Sequence, residues 1–113
     1  MGRARELANL FSGGSADINV KTSDGGILNL QTSDTTVTQD SVVGSIQFQA
    51  PDEASGTDSI LVASKIEAVA EGTFSASSNA TKLSFATASS EAASEKMSLS
   101  SAGLLTVSGR IIT

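Results

Sequence analysis

Asp52, Glu53 and Asp58 are the closest grouping of groups able to do chemistry in this chain: three carboxylates in seven positions, interrupted by Gly56. As hard oxygen donors they could hold a calcium ion, or two of them could act as the acid and nucleophile of a glycosidase. Neither arrangement is matched in spacing, because the loop has no EF-hand pattern and no repeat of its acidic positions. The plain expectation is a solvated acidic loop. Glu67 and Glu71 stand four apart with Lys65 nearby, a set that solubilises one face of an element.

The chain contains no histidine, cysteine, tyrosine or tryptophan. That removes imidazole and phenol bases, thiol nucleophiles, and the imidazole and thiolate ligands of most transition-metal sites. Serine and threonine supply roughly a quarter of the residues, but no G-x-S-x-G turn presents one of them as a nucleophile. Gly13-Gly14 and Gly25-Gly26 are not followed by the Lys-Ser or Lys-Thr of a phosphate loop. The expectation is a protein that is not an enzyme, with no catalytic residue, no cofactor and no metal.

With 113 residues there is room for one domain. Hydrophobic residues make up 39%, yet many are alanines, and the aromatics are four phenylalanines, Phe11, Phe48, Phe74 and Phe85. Ordering about 100 residues costs on the order of 100–200 kcal/mol, while a fully buried large apolar side chain returns roughly 1.5–3 kcal/mol. A monomer built from these residues is marginal, and without cysteines no disulfide makes up the difference. Subunits that share a core are therefore expected. The net charge of −5 offers no basic field to a phosphate backbone, and no apolar run approaches the roughly 20 residues of a membrane span. Neither nucleic acid nor a membrane is an expected partner.

Residues 3–11 are good helix formers that place Leu7, Leu10 and Phe11 at i, i+3 and i+4, and Ser12-Gly13-Gly14 ends them. Residues 1–14 thus read as a short amphipathic helix with a glycine hinge. Such a helix is too short to persist alone, so Leu7, Leu10 and Phe11 either pack on their own domain or anchor the chain to a larger assembly. Residues 15–113 read as a β-rich module, with turn signals every ten or so residues. Residues 17–21 and 27–31 read as a hairpin about Ser23-Asp24-Gly25-Gly26. Further strands are expected over 42–50, 59–71, 81–87, 96–99, 104–107 and 110–113. Ile46, Phe48 and Ala50 share a face in the first of these, and Leu83 and Phe85 point inward. The last strand leaves Ile111 and Ile112 on a bare apolar edge that a partner should cover. The fold class expected is all-β, an antiparallel β-sandwich or an intertwined β-module, trimeric, with a short N-terminal helix.

Four blocks of the sequence resemble the β-rich module of phage tail fibres of the cyanophage type, in the same order. They are Gln47-Phe48-Gln49-Ala50-Pro51-Asp52-Glu53-Ala54, then Ile66-Glu67-Ala68-Val69-Ala70-Glu71-Gly72-Thr73-Phe74-Ser75. Next come Asn79-Ala80-Thr81-Lys82-Leu83-Ser84-Phe85-Ala86-Thr87 and finally Glu95-Lys96-Met97-Ser98-Leu99-Ser100-Ser101-Ala102-Gly103-Leu104-Leu105-Thr106-Val107. The resemblance covers roughly residues 27–113. It implies a trimeric virion component without enzymatic activity in this region. In the fibres, such blocks often precede an intramolecular chaperone domain, which is not found before Thr113. A chain of this size with an anchoring helix suits a capsid decoration, or cement, protein on the virion, a homotrimer whose partners are the major capsid protein or tail proteins. A short tail fibre or tail-attachment module that meets a host surface glycan is the alternative, although the chain lacks the Trp and Tyr platforms that sugar sites favour.

Overall fold

The structure, a computed structural model, describes residues 17–112. The expected helix over 1–14, with Leu7, Leu10 and Phe11, lies outside them. The described residues form one antiparallel sheet in simple meander order: β1 (Val42–Gln49), β2 (Val62–Ala70), β3 (Thr81–Thr87), β4 (Ser94–Leu99) and β5 (Leu105–Val107). The only helical turn among them is a 3-10 turn, Asp58–Ile60. The protein is all-β, as the alternation of β-branched and polar residues requires. The described residues form no second sheet, so no sandwich is present among them.

Each connection has a local cause. Pro51, which cannot donate to a ladder, follows β1, and Gln49 Nε2 donates to Ile60 O at 2.8 Å to close the loop before β2. Between β4 and β5, Gly103 takes a φ of 82° and its N–H donates to Ser100 O at 2.9 Å. Ser100 Oγ accepts from the N–H groups of Ala102 and Leu104, which fixes the same turn. The end of β2 is clamped: Asp40 N donates to Ala70 O at 2.8 Å, Ala70 N to Ser41 O at 2.9 Å, and Phe74 N to Val37 O at 3.0 Å. Val37 and Ala70 are both buried there and make a minimal core.

Three expected strands, 17–21, 27–31 and 110–113, are absent among the described residues. Residues 17–31 do turn where expected, with Gly25 at a φ of 95° and Thr22 Oγ1 donating to Gly25 O at 2.8 Å. They form no ladder, because the turn is present but the two flanking runs exchange no strand bonds. Residues 110–112 likewise join no strand: the last tie is Ser108 N to Lys96 O at 2.8 Å, and Ser108-Gly109 carries the chain away from β4. Ile111 and Ile112 are exposed there.

Two carboxylates connect the sheet to its turns. The hydroxyl and the backbone N–H of Ser101, the latter at 3.0 Å from Glu71 Oε1, hold the Glu71 carboxyl below its ordinary value. The Ser84 hydroxyl and the Lys82 ammonium do the same for Glu95. Both groups are more acidic in the folded chain, so the stability they contribute is complete above the unfolded-chain value and is lost as pH falls through the folded one. The thermal midpoint should be level from about pH 8 to 5 and decline below about pH 4.5, less steeply in Glu71→Gln. A transition between pH 6 and 8 would contradict this, since the chain has no histidine.

Candidate functional site: the uncharged face of the sheet

The strand registers align two rows of side chains across all five strands. One runs Ile46, Ile66, Phe85, Met97, Val107, and the other Gly44, Ala68, Leu83, Leu99, Leu105. None of these ten residues is charged. Alternation places them all on one face, where cross-strand neighbours touch.

The opposite face carries the charge. Lys65 and Glu67 pair at 3.2 Å, and Lys82 and Glu95 at 3.0 Å. Small residues lie between them in register: Ala86 between Lys65 and Glu95, and Ser84 between Glu67 and Ser98. The long stems of the charged residues cover these small ones, so Ser84 and Ala86 are buried at 5% and 3% exposure. The ion pairs are at the surface and contribute only about 0–1 kcal/mol each. Their stems seal the polar face.

The apolar face is the uncovered one. Fifteen large apolar side chains are exposed among the described residues, including Ile46, Leu83, Leu99 and Leu105 from the two rows. Phe48, on the same face, is 53% exposed. Of all the Val, Ile, Leu, Met and Phe side chains between 17 and 112, Val37 alone is buried. Contiguous exposed apolar surface of this kind marks an interaction site. Leu83 and Phe85 do share a face, but in the single chain Leu83 points to solvent at 40% exposure rather than inward.

At the β1 side of this face is an open groove of about 210 Å³, lined by Ile46, Ile66, Ala68 and Leu83 together with Leu28 and Leu30. Leu30 crosses over Gly44 so closely that a Cβ on Gly44 would stand 3.2 Å from that of Leu30. A side chain at this position would need Leu30 to give way by a few tenths of an ångström. The polar content of the groove is too small to orient a polar ligand.

The acidic loop is arranged for its own backbone. Glu53 accepts from the hydroxyl of Ser55 and from its N–H at 3.1 Å, and these bonds hold its exposed carboxyl below the ordinary value. Asp58 opens the 3-10 turn. Among the described residues no group of three or more carboxylates converges as a metal site would require. Ile111 and Ile112 stand apart from the two rows, beyond β5. Sequence reasoning assigned Ile46 with Phe48 and Leu83 with Phe85. It did not join them to Met97, Leu99, Leu105 and Val107, because that needs the strand order and register.

No family of proteins, no curated protein and no solved structure matches the chain.

If the uncharged face is a contact surface, Leu83→Glu with Leu99→Glu, two paired positions, should weaken self-association at least about 100-fold, equivalent to roughly 3 kcal/mol. Thr106→Glu, on the opposite face, should leave it unchanged. Sedimentation across a concentration series reads both. Equal behaviour of the two variants would remove the uncharged face as the contact.

Proposed function

We propose that this chain is a structural subunit of a phage particle that works by self-association, as a homotrimeric capsid decoration, or cement, protein. The observation that carries the reading is the sheet with a sealed polar face and an uncovered uncharged one. Such a sheet is half of a layered structure, and the other half must come from outside the described chain. The resemblance to phage fibre modules supplies the biological setting, and its four blocks fall on β1 to β5 and the turns between them. A repeating subunit on a particle needs contact surfaces and no reacting groups, which agrees with a chain that lacks histidine, cysteine, tyrosine and tryptophan.

In this reading the uncharged faces meet at the centre of the trimer, and the charged faces with their Lys65–Glu67 and Lys82–Glu95 pairs look outward. Leu7, Leu10 and Phe11 supply the anchor to the major capsid protein or to tail proteins, and Ile111 and Ile112 add a further apolar contact. A short tail fibre or tail-attachment module is the second reading, favoured by the resemblance itself. It would turn the loop over residues 50–61 or the turn over 100–104 toward the host.

Light scattering of the purified chain should give three times the monomer mass. Leu10→Asp with Phe11→Asp should keep that mass and the far-ultraviolet spectrum while abolishing co-sedimentation with stripped particles, since two charges would be desolvated at the contact. A monodisperse monomer at micromolar concentration would contradict the trimer. Loss of folding in the double variant would place those residues in the module's own core.

A further inference from the structure

We propose that the free edge of β1 pairs antiparallel with the β1 edge of a second copy of this chain, about a two-fold axis at Ile46. The contact lies at the rim of the sheet rather than on its uncharged face, and so goes beyond the face-to-face association proposed above.

β1 is an edge that its own sequence leaves open. It closes the sheet on one side, and among the described residues its backbone bonds go to β2 alone. Edge strands are kept from pairing by charge, by proline or by shortness. The other edge, β5, has three residues. β1 has eight, with no charge and no proline, whereas β2, β3 and β4 each carry a lysine, Lys65, Lys82 and Lys96. Its irregularities fall between Val42 and Gly44 and between Phe48 and Gln49, at the two ends. Gly44 to Phe48 is therefore a regular run, with Ile46 at its centre.

That run complements its own reverse, which names a second copy as the occupant. Turned about Ile46, Phe48 of each copy falls opposite Gly44 of the other, and Gln47 falls opposite Ser45. Phe48 is 53% exposed, and an aromatic ring laid beside an edge glycine is a favourable cross-strand pair. On the charged face, Ser45 Oγ is shut off from solvent and has no hydrogen-bond partner among the described residues. A hydroxyl left in that state is costly, and the amide of the second copy's Gln47 brings it both a donor and an acceptor. The charges agree as well. Gln47 is in register with Lys65 and Ser45 with Glu67, so pairing sets Lys65 of one copy in the same row as Glu67 of the other. Like charges lie two residues further along the strands. Two acidic chains thus meet with opposite charges nearest each other.

Such a run is much shorter than the roughly 20–30 residues a side of a stable interface. The edge pair is therefore weak between free molecules and gains strength where copies are held side by side, because linked contacts form together.

The chain has no cysteine, so single cysteines report without background. Chains carrying Ser45→Cys and chains carrying Gln47→Cys are mixed at high concentration and oxidised gently. Both positions lie on the charged face, so contact between uncharged faces does not bring them together. Directly opposite Cβ atoms stand about 4.5–5.5 Å apart and diagonal ones about 7–8 Å, outside disulfide reach. Links from 45 to 47 should therefore exceed the like links, 45 to 45 and 47 to 47, about tenfold in total. A statistical mixture, an excess of like links, or no links between copies would overturn the pair. Should either cysteine prevent folding, amide exchange in the unaltered chain gives a second readout. At high concentration every amide from Gly44 to Phe48 should be protected, and on dilution alternate ones should lose about tenfold while those of β3 keep theirs. Exchange that is independent of concentration, or that changes alike in β1 and β3, would overturn the proposal.

Discussion

An antiparallel sheet with one uncharged face is stable in water only when something apolar lies over that face. Each large side chain left exposed forgoes roughly 1.5–3 kcal/mol of burial, and this face leaves Ile46, Phe48, Leu83, Leu99 and Leu105 exposed with Ile66, Phe85, Met97 and Val107 half-buried between them. Backbone pairing does not make up the loss, because its net worth over hydration is small. The arrangement of the chain follows from this constraint. The strands are consecutive, the turns are tied by their own side chains, and the little core that exists, Val37 on Ala70, lies where residues 37–41 wrap the end of β2. What is left for an outside surface to cover is a continuous strip from Ile46 to Val107.

The two faces solve different problems. On the charged face, covering is local: small residues sit under the stems of Lys65, Glu67, Lys82 and Glu95, which seal the sheet and keep it soluble. On the uncharged face no stem is long enough and no polar group competes, so its burial depends on another chain or segment. A surface without charge has no pattern for a charged partner to complement, and identical copies with a net charge of −5 approach most readily where neither presents a carboxylate. Contact through these faces would be the mode of self-association in which this repulsion is least.

Much of this architecture was legible in the residues. The stretch of residues 81–87 alternates without interruption and forms β3 with those bounds, and Pro51, Gly103 and the β-branched run after Asp58 place β1, β5 and β2. Residues 27–31 and 110–113 carry the same kind of pattern, yet their described residues form no strand. Periodicity reports a strand's readiness to pair, whereas pairing needs a partner at hand, and neither stretch has one in the single chain. The interaction face was legible only in pieces. Ile46, Ile66, Phe85, Met97 and Val107 are far apart in sequence, and only the strand order and register bring them into one row.

The dependence of unfolding on chain concentration tests this account most directly. If the uncharged face is buried only between copies, folding and association are one equilibrium, and the denaturation midpoint must rise as chain concentration is raised. Over a hundredfold range of concentration, the account predicts a midpoint that climbs steadily and a single transition by circular dichroism. A midpoint that stays fixed over that range would show a sheet that is stable alone, and would contradict it.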